Sequence, residues 1–134
     1  QAELDKVLPY TGLIMFSLKS ADEDVHRQLT GKDNALILQN LLYAASKTQL
    51  ILRYVIIPGV NDSETALSKL AEVIKKLPSN VKIDLLPYHT MGKTKWQALQ
   101  IPYKLNTVPD ASKADIQKVK SFCTKAGINN DYVS

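Results

Sequence analysis

Leu50-Ile51-Leu52-Arg53-Tyr54-Val55-Ile56-Ile57-Pro58-Gly59 is the stretch that decides the fold. Its β-branched and aromatic residues favour a strand, and Pro58-Gly59 ends it. It is apolar at nearly every position rather than at alternate ones, the pattern of a parallel strand covered on both faces. Two similar runs flank it: Leu13-Ile14-Met15-Phe16-Ser17-Leu18 upstream, and Val81-Lys82-Ile83-Asp84-Leu85-Leu86, closed by Pro87, downstream. The three runs begin near residues 13, 50 and 81, and each gap is long enough for a crossover helix.

The gaps have helical patterns. Asp22 to Leu29 predicts a short helix ending at Gly31, and Asn34 to Ser46 predicts a second, with Asp33 as its candidate cap. Asn61, with Glu64 three residues later, has the form of a capping box in which Asn stands in for Ser or Thr. The helix it opens runs to about Leu77 with Leu67, Leu70, Ala71, Ile74 and Leu77 on one face. A long loop follows the third strand, with a helical turn around Trp96 to Leu99. The last helix starts near Ser112, where Asp115 completes a second capping box, and stops at Gly127.

At 134 residues the chain has single-domain length, so residues 1–134 are read as one domain, short for a complete barrel. Three parallel strands with their crossover helices cover only one face of a sheet. A partner chain or further polypeptide must cover the other, and the expected α/β architecture is half of a barrel.

Composition narrows the function. Hydrophobic residues make up 45% and charged residues 22%, an ordinary globular balance. The net charge of +4 comes from scattered basic residues, not a stripe, which argues against a nucleic-acid partner. One cysteine, Cys123, excludes an internal disulfide and any cysteine-ligated cluster or zinc site within these residues. Its place in the periodic run Ile116, Val119, Phe122, Cys123, Ala126 makes it a small core residue. No apolar run approaches the ~20 residues of a membrane span and no secretory leader opens the chain, so the expected compartment is the cytoplasm.

Polar residues that interrupt the strands mark the candidate site. Met15, Ser17 and Lys19 share one face of the first strand. Arg53 lies mid-strand on the face of Ile51 and Val55, and His89 follows the third strand after Pro87-Tyr88. Ligand sites in parallel α/β folds gather at the carboxyl ends of strands, and an arginine in a sheet must pair or bind an anion. Together Lys19, Arg53 and His89 suggest a pocket for carboxylate and hydroxyl groups. Each also has a plainer reading: Lys19 as a solvated residue after a strand, Arg53 paired with Asp84, His89 as a loop histidine bonded to backbone. His26 reads as a surface residue, and Gly92-Lys93-Thr94-Lys95-Trp96 as a solvated basic turn. Spacing alone supports an incomplete barrel with an anion-binding rim and specifies no reaction.

Leu85-Leu86-Pro87-Tyr88-His89-Thr90-Met91-Gly92-Lys93-Thr94-Lys95-Trp96 resembles the LLPYHxxGxxKW segment of the pyruvate formate-lyase activating enzymes. Arg53-Tyr54-Val55-Ile56-Ile57-Pro58-Gly59 with Asn61-Asp62 is similar to the family's RYVxxPGxxD strand and turn. His26, Leu29-Thr30-Gly31 and Asn34 are similar to its HxxxTG..N stretch. The three lie in the right order, and the resemblance runs from about Val7 to Gly127.

The resemblance implies a partial (β/α)6 TIM-like barrel of which this chain is the last three units, the cluster-binding half lying outside these residues. It implies a radical S-adenosylmethionine enzyme whose [4Fe-4S] cluster is held by a CxxxCxxC loop absent here. The cluster cleaves S-adenosylmethionine, and the resulting deoxyadenosyl radical takes hydrogen from a glycine of a glycyl radical enzyme, here expected to be pyruvate formate-lyase. By the same resemblance Lys19 reaches S-adenosylmethionine, Arg53 lies near this cofactor and the target loop as part of its binding site, His89 contacts it, and Ser17 stands where relatives carry an acidic residue that helps hold the cofactor and a monovalent cation. It assigns no catalytic residue and no metal ligand to this chain, and implies that the fragment alone is inactive. A different class of function, a non-catalytic half barrel that docks on a partner, fits the same fold.

Overall fold

Register organises the molecule. The structure, a computed structural model, describes residues 2–128. Among these, β1 (Leu13–Leu18), β2 (Gln49–Ile56) and β3 (Lys82–Pro87) form one parallel sheet in the order β1-β2-β3. Helices α2 (Glu23–Thr30) and α3 (Ala35–Ala45) connect β1 to β2, and α4 (Glu64–Lys75) connects β2 to β3. After β3 come a 3-10 turn (Thr90–Gly92), α5 (Lys93–Ala98) and α6 (Lys113–Lys125). A short helix α1 (Ala2–Val7) and a 3-10 turn (Leu8–Tyr10) precede β1, neither anticipated from the sequence.

Side chains alternate across a strand, so register assigns each residue to one of two faces. Leu18, Leu50, Leu52, Tyr54, Ile56, Ile83 and Leu85 point to one face and are buried. They form one cluster with Leu41 and Ala44 of α3, Leu67, Leu70 and Ile74 of α4, and Val119 and Cys123 of α6. Each large side chain removed from water here contributes roughly 1.5–3 kcal/mol. The other face carries Leu13, Met15 and Ser17, then Ile51, Arg53 and Val55, then Lys82, Asp84 and Leu86, and none of these is buried. The half-covered sheet read from the sequence is the observed one.

Caps explain most boundaries. Asp22 accepts hydrogen bonds from the amides of Asp24 and Val25 and so starts α2, while Gly31 stops it in the left-handed region at φ 79°. Ser112 and Asp115 form the anticipated capping box of α6. Two caps differ from expectation. Ser63, not Asn61, caps α4 by accepting from the Ala66 amide, because the Asn61 side chain turns inward to the strand ends. At α3 the N-cap position falls on Asn34, one residue past Asp33, and the Asn34 side chain also bonds elsewhere. Helix α4 stops at Lys75, short of Leu77. The His26 ring, read as a surface residue, lies inside the fold at 5% exposure, with Nδ1 lacking a hydrogen-bond partner among the described residues.

Candidate functional site

Ser17, Arg53 and Asp84 are register partners across β1, β2 and β3, forming a polar row on the uncovered face. Apolar Met15 and Ile51 lie two residues before it in their strands, and Val55 and Leu86 two residues beyond. Arg53 Nε lies 3.4 Å from Asp84 Oδ2 with both side chains about a third exposed. That is close enough for charge pairing but not aligned for a hydrogen bond, so Nε is an inward donor with no acceptor among the described residues. Of the two sequence readings of Arg53, the ion pair with Asp84 is the one observed.

Lys19 and His89 flank this row. Lys19 directly follows the last paired residue of β1 and is exposed. His89 follows β3 and is exposed. The Tyr88 amide donates to the Ile56 carbonyl at 3.0 Å, and the Tyr88 carbonyl accepts from the Ala111 amide at 2.8 Å. These bonds tie the backbone beside His89 both to β2 and to the segment entering α6. Thr90 is held in turn by Asp110, whose Oδ1 accepts from its amide at 2.6 Å. Since β2 separates β1 from β3, Lys19 and His89 follow strands two spacings apart, and by register His89 lies further toward the carboxyl end than Lys19. The structure thus brings Ser17 and Arg53 side by side and sets Lys19 and His89 at the same carboxyl end on the outer strands.

Aromatic residues wall the His89 side. The Tyr88 and Tyr103 hydroxyls share a 2.8 Å hydrogen bond, and the Tyr103 ring packs 5.5 Å from Trp96 at a 35° tilt. Removal from water, then the Tyr103 hydroxyl, pushes Tyr88 up to about 12, so it stays a neutral hydrogen-bonding group at physiological pH. Trp96 is still 40% exposed, so the basic turn from Gly92 to Trp96 is only partly stapled down. The arrangement can bind a ligand carrying a carboxylate near Arg53 or Lys19, with hydroxyls or a cationic group within reach of Asp84, Ser17 and His89.

Two buried asparagines were missed from sequence. Asn61, 0% exposed, donates from Nδ2 to the Val55 carbonyl at 2.8 Å and the Lys19 carbonyl at 3.2 Å. Its Oδ1 accepts from the Ile57 amide at 2.8 Å, and its backbone carbonyl accepts the Tyr54 hydroxyl at 3.0 Å. Burial pushes Tyr54 up to about 12, so that hydroxyl remains a donor. Asn34 Nδ2 donates to the carbonyls of Ser20 and Ala21 at 3.2 and 3.0 Å. The signal available in the sequence was the order Pro58-Gly59…Asn61-Asp62, a tight turn that returns a polar side chain toward the strand it has just left. Gly59 adopts φ 71° there, and Asp62 Oδ1 accepts from its amide at 2.8 Å.

Comparison with known proteins places this geometry. No protein-family model matches the chain. It is 34% identical over 125 residues to pyruvate formate-lyase 1-activating enzyme of Escherichia coli K12, covering 92% of this chain and 51% of that protein. It is 39% identical over 105 residues to pyruvate formate-lyase-activating enzyme of Staphylococcus epidermidis, covering 78% and 42%. In each case the match is to the C-terminal portion of the relative. The chain belongs to the pyruvate formate-lyase activating enzyme family.

The chain spans about half the length of the curated relatives it matches. A crystal structure of a domain of pyruvate-formate lyase-activating enzyme from Bacteroides vulgatus superposes with TM-score 0.76 at 26% identity. That match covers 100% of this chain and 73% of the other. A radical SAM methyltransferase from Sphaerobacter thermophilus shares the fold at TM-score 0.70 and 18% identity. Both agree with half of a TIM-like barrel. Among the described residues no helix is long and apolar enough to cross a membrane.

Proposed function

We propose that this chain is the C-terminal half of a radical S-adenosylmethionine activase for a glycyl radical enzyme, with pyruvate formate-lyase as its target. Residues 1–134 form one unit in this reading, and its open sheet face is one wall of the cofactor cavity. The observation that carries it is the in-register row Ser17–Arg53–Asp84 on the uncovered face, in a chain whose relatives are activating enzymes.

S-Adenosylmethionine fits the residues present. Arg53, its side chain 35% exposed on the open face, supplies one cation, and Lys19 adds a second toward the carboxyl end of the sheet. Either accepts the cofactor's carboxylate; Asp84 suits an ammonium or hydroxyl, and Ser17 and His89 suit hydroxyl or ring-nitrogen contacts. The bound cofactor supplies the hydrogen-abstracting chemistry, while these side chains bind and orient it. Ser17 in place of an acidic residue removes one anionic oxygen ligand, so this chain supplies one ligand fewer to a monovalent cation.

An iron–sulfur cluster does not fit within this chain. Cys123 is its one cysteine and is 2% exposed in the core, where burial raises the thiol pKa. The cluster ligands of the proposed enzyme belong to a preceding CxxxCxxC loop, and these 134 residues alone do not cleave S-adenosylmethionine. Titration calorimetry of the full-length protein with S-adenosylmethionine tests the assignment. Arg53→Met and His89→Ala each raise Kd about tenfold or more, as expected for lost hydrogen bonds to charged groups. Unchanged Kd in both variants overturns the reading, as does deoxyadenosine production by the reconstituted fragment.

A further inference from the structure

The backbone that carries Lys19 is held in an unusual way. The β1–β2 ladder ends at the pair Leu18 and Tyr54, so Lys19 lies one residue beyond strand support. The next three carbonyls nevertheless all have partners, and each partner is an asparagine side-chain amide. Asn61 takes Lys19, while Asn34 takes Ser20 and Ala21. Both asparagines are buried, and both come from later in the chain, one at the start of α3 and one after β2. A primary amide offers the same N–H donor as a peptide, so Asn61 acts as a one-residue extension of the sheet where β1 and β2 part. Asn34 makes the contrast sharper. It occupies the N-cap position of α3 yet makes no capping bond, although Asn is among the best capping residues.

We propose that Asn61 and Asn34 are positioning residues that clamp the Lys19–Ala21 backbone and thereby fix the point and direction from which the Lys19 side chain leaves the carboxyl rim of the sheet. This rests on the reading of Lys19 as a cofactor contact. Neither asparagine touches the cofactor in this proposal; both act through Lys19. A freely moving segment after β1 would leave the Lys19 ammonium sampling many positions, and binding would then have to order it.

The test uses the full-length protein with Asn34→Ser and Asn61→Ser, each made alone and in a Lys19→Met background. Serine still caps α3 but is too short to reach the Ser20 and Ala21 carbonyls, so Asn34→Ser breaks the clamp while keeping the helix start. Hydrogen exchange read by mass spectrometry should rise about tenfold in peptides covering residues 19–22, with exchange across β2 left at the native level even where the lost buried bonds lower the urea midpoint. S-Adenosylmethionine Kd should rise about tenfold in each single variant and show no additional rise when Lys19→Met is already present. If Lys19→Met weakens binding but the asparagine variants do not, the positioning role is overturned alone. The same holds if their effect persists undiminished in the Lys19→Met background, or if exchange at 19–22 is unaltered. If Lys19→Met itself leaves Kd unchanged, the cofactor reading of Lys19 falls and takes the positioning role with it.

Discussion

The two faces of the sheet come from the same three strands, at alternate residues, yet they behave as different materials. One face is filled by Leu18, Leu52, Tyr54, Ile56, Ile83 and Leu85 against three helices, and its large side chains are almost wholly out of water. The other pairs a charged and hydroxylic row with exposed Leu13 and Met15, which are 49% and 64% accessible. A sheet face that holds both an Arg–Asp pair and large exposed apolar residues is neither a core nor a solvated surface. It has the composition of a cavity wall, and the family's longer relatives supply the length for the remaining wall. The covered face therefore makes the fold, and the open face is the one the proposed function uses.

Breaking the covered face should have the largest effect. Leu52→Ala, at a residue 0% exposed, is expected to cost about 2–5 kcal/mol in urea unfolding, whereas Met15→Ala on the opposite face should change stability by less than about 0.5 kcal/mol. Equal losses at the two positions would erase the distinction between the faces. Next in size is Tyr54→Phe, which leaves the ring packed but removes the donor to the Asn61 carbonyl; a loss of about 1–3 kcal/mol should appear in the same measurement.

These expectations separate what was legible in the sequence from what was not. Strand positions, their parallel order and the bare face follow from three apolar runs and the chain length between them, because burial on a sheet is set by short-range pattern. The placement of Ser17 beside Arg53 was not legible, since register depends on how the crossover helices pack. Asn61 and Asn34 were misread for a related reason. A capping pattern compares residues three apart, but the partner of Asn61 is the Lys19 carbonyl, 42 residues away. His26 misled by its neighbours: Asp24 and Gln28 are exposed on the turns around it, while its own position faces inward between Val25 and Leu29.

On the open face, Asp84→Asn should lower stability by no more than about 1 kcal/mol, because the Arg53 pair is partly solvated, yet weaken S-adenosylmethionine binding in calorimetry. A large stability loss with unchanged binding would make the pair structural. The smallest effect concerns the rim behind β1, where Lys69 Nζ lies 2.8 Å from Asp22 Oδ2. The lysine hydrogen bond comes first among the causes that hold the Asp22 carboxyl below its ordinary 3.8. A carboxylate with a lowered folded-state pKa contributes stability above its unfolded value, and that contribution disappears as pH falls through the folded one. Lys69→Met should accordingly lower the urea midpoint at pH 7, and the gap from the native protein should close as pH drops below about 4. A gap that widens in acid would reverse the assignment.

The sealed thiol at Cys123 has a practical corollary. With its sulfur buried and its ionisation suppressed by burial, Cys123 gives ferrous iron and sulfide no accessible thiolate in the folded chain. When a longer form is loaded with iron and sulfide under anaerobic conditions, this half should contribute a silent spectroscopic background. If the proposed function holds, absorbance or Mössbauer signal per polypeptide then counts cluster sites outside these residues, and alkylation of the native protein should spare Cys123.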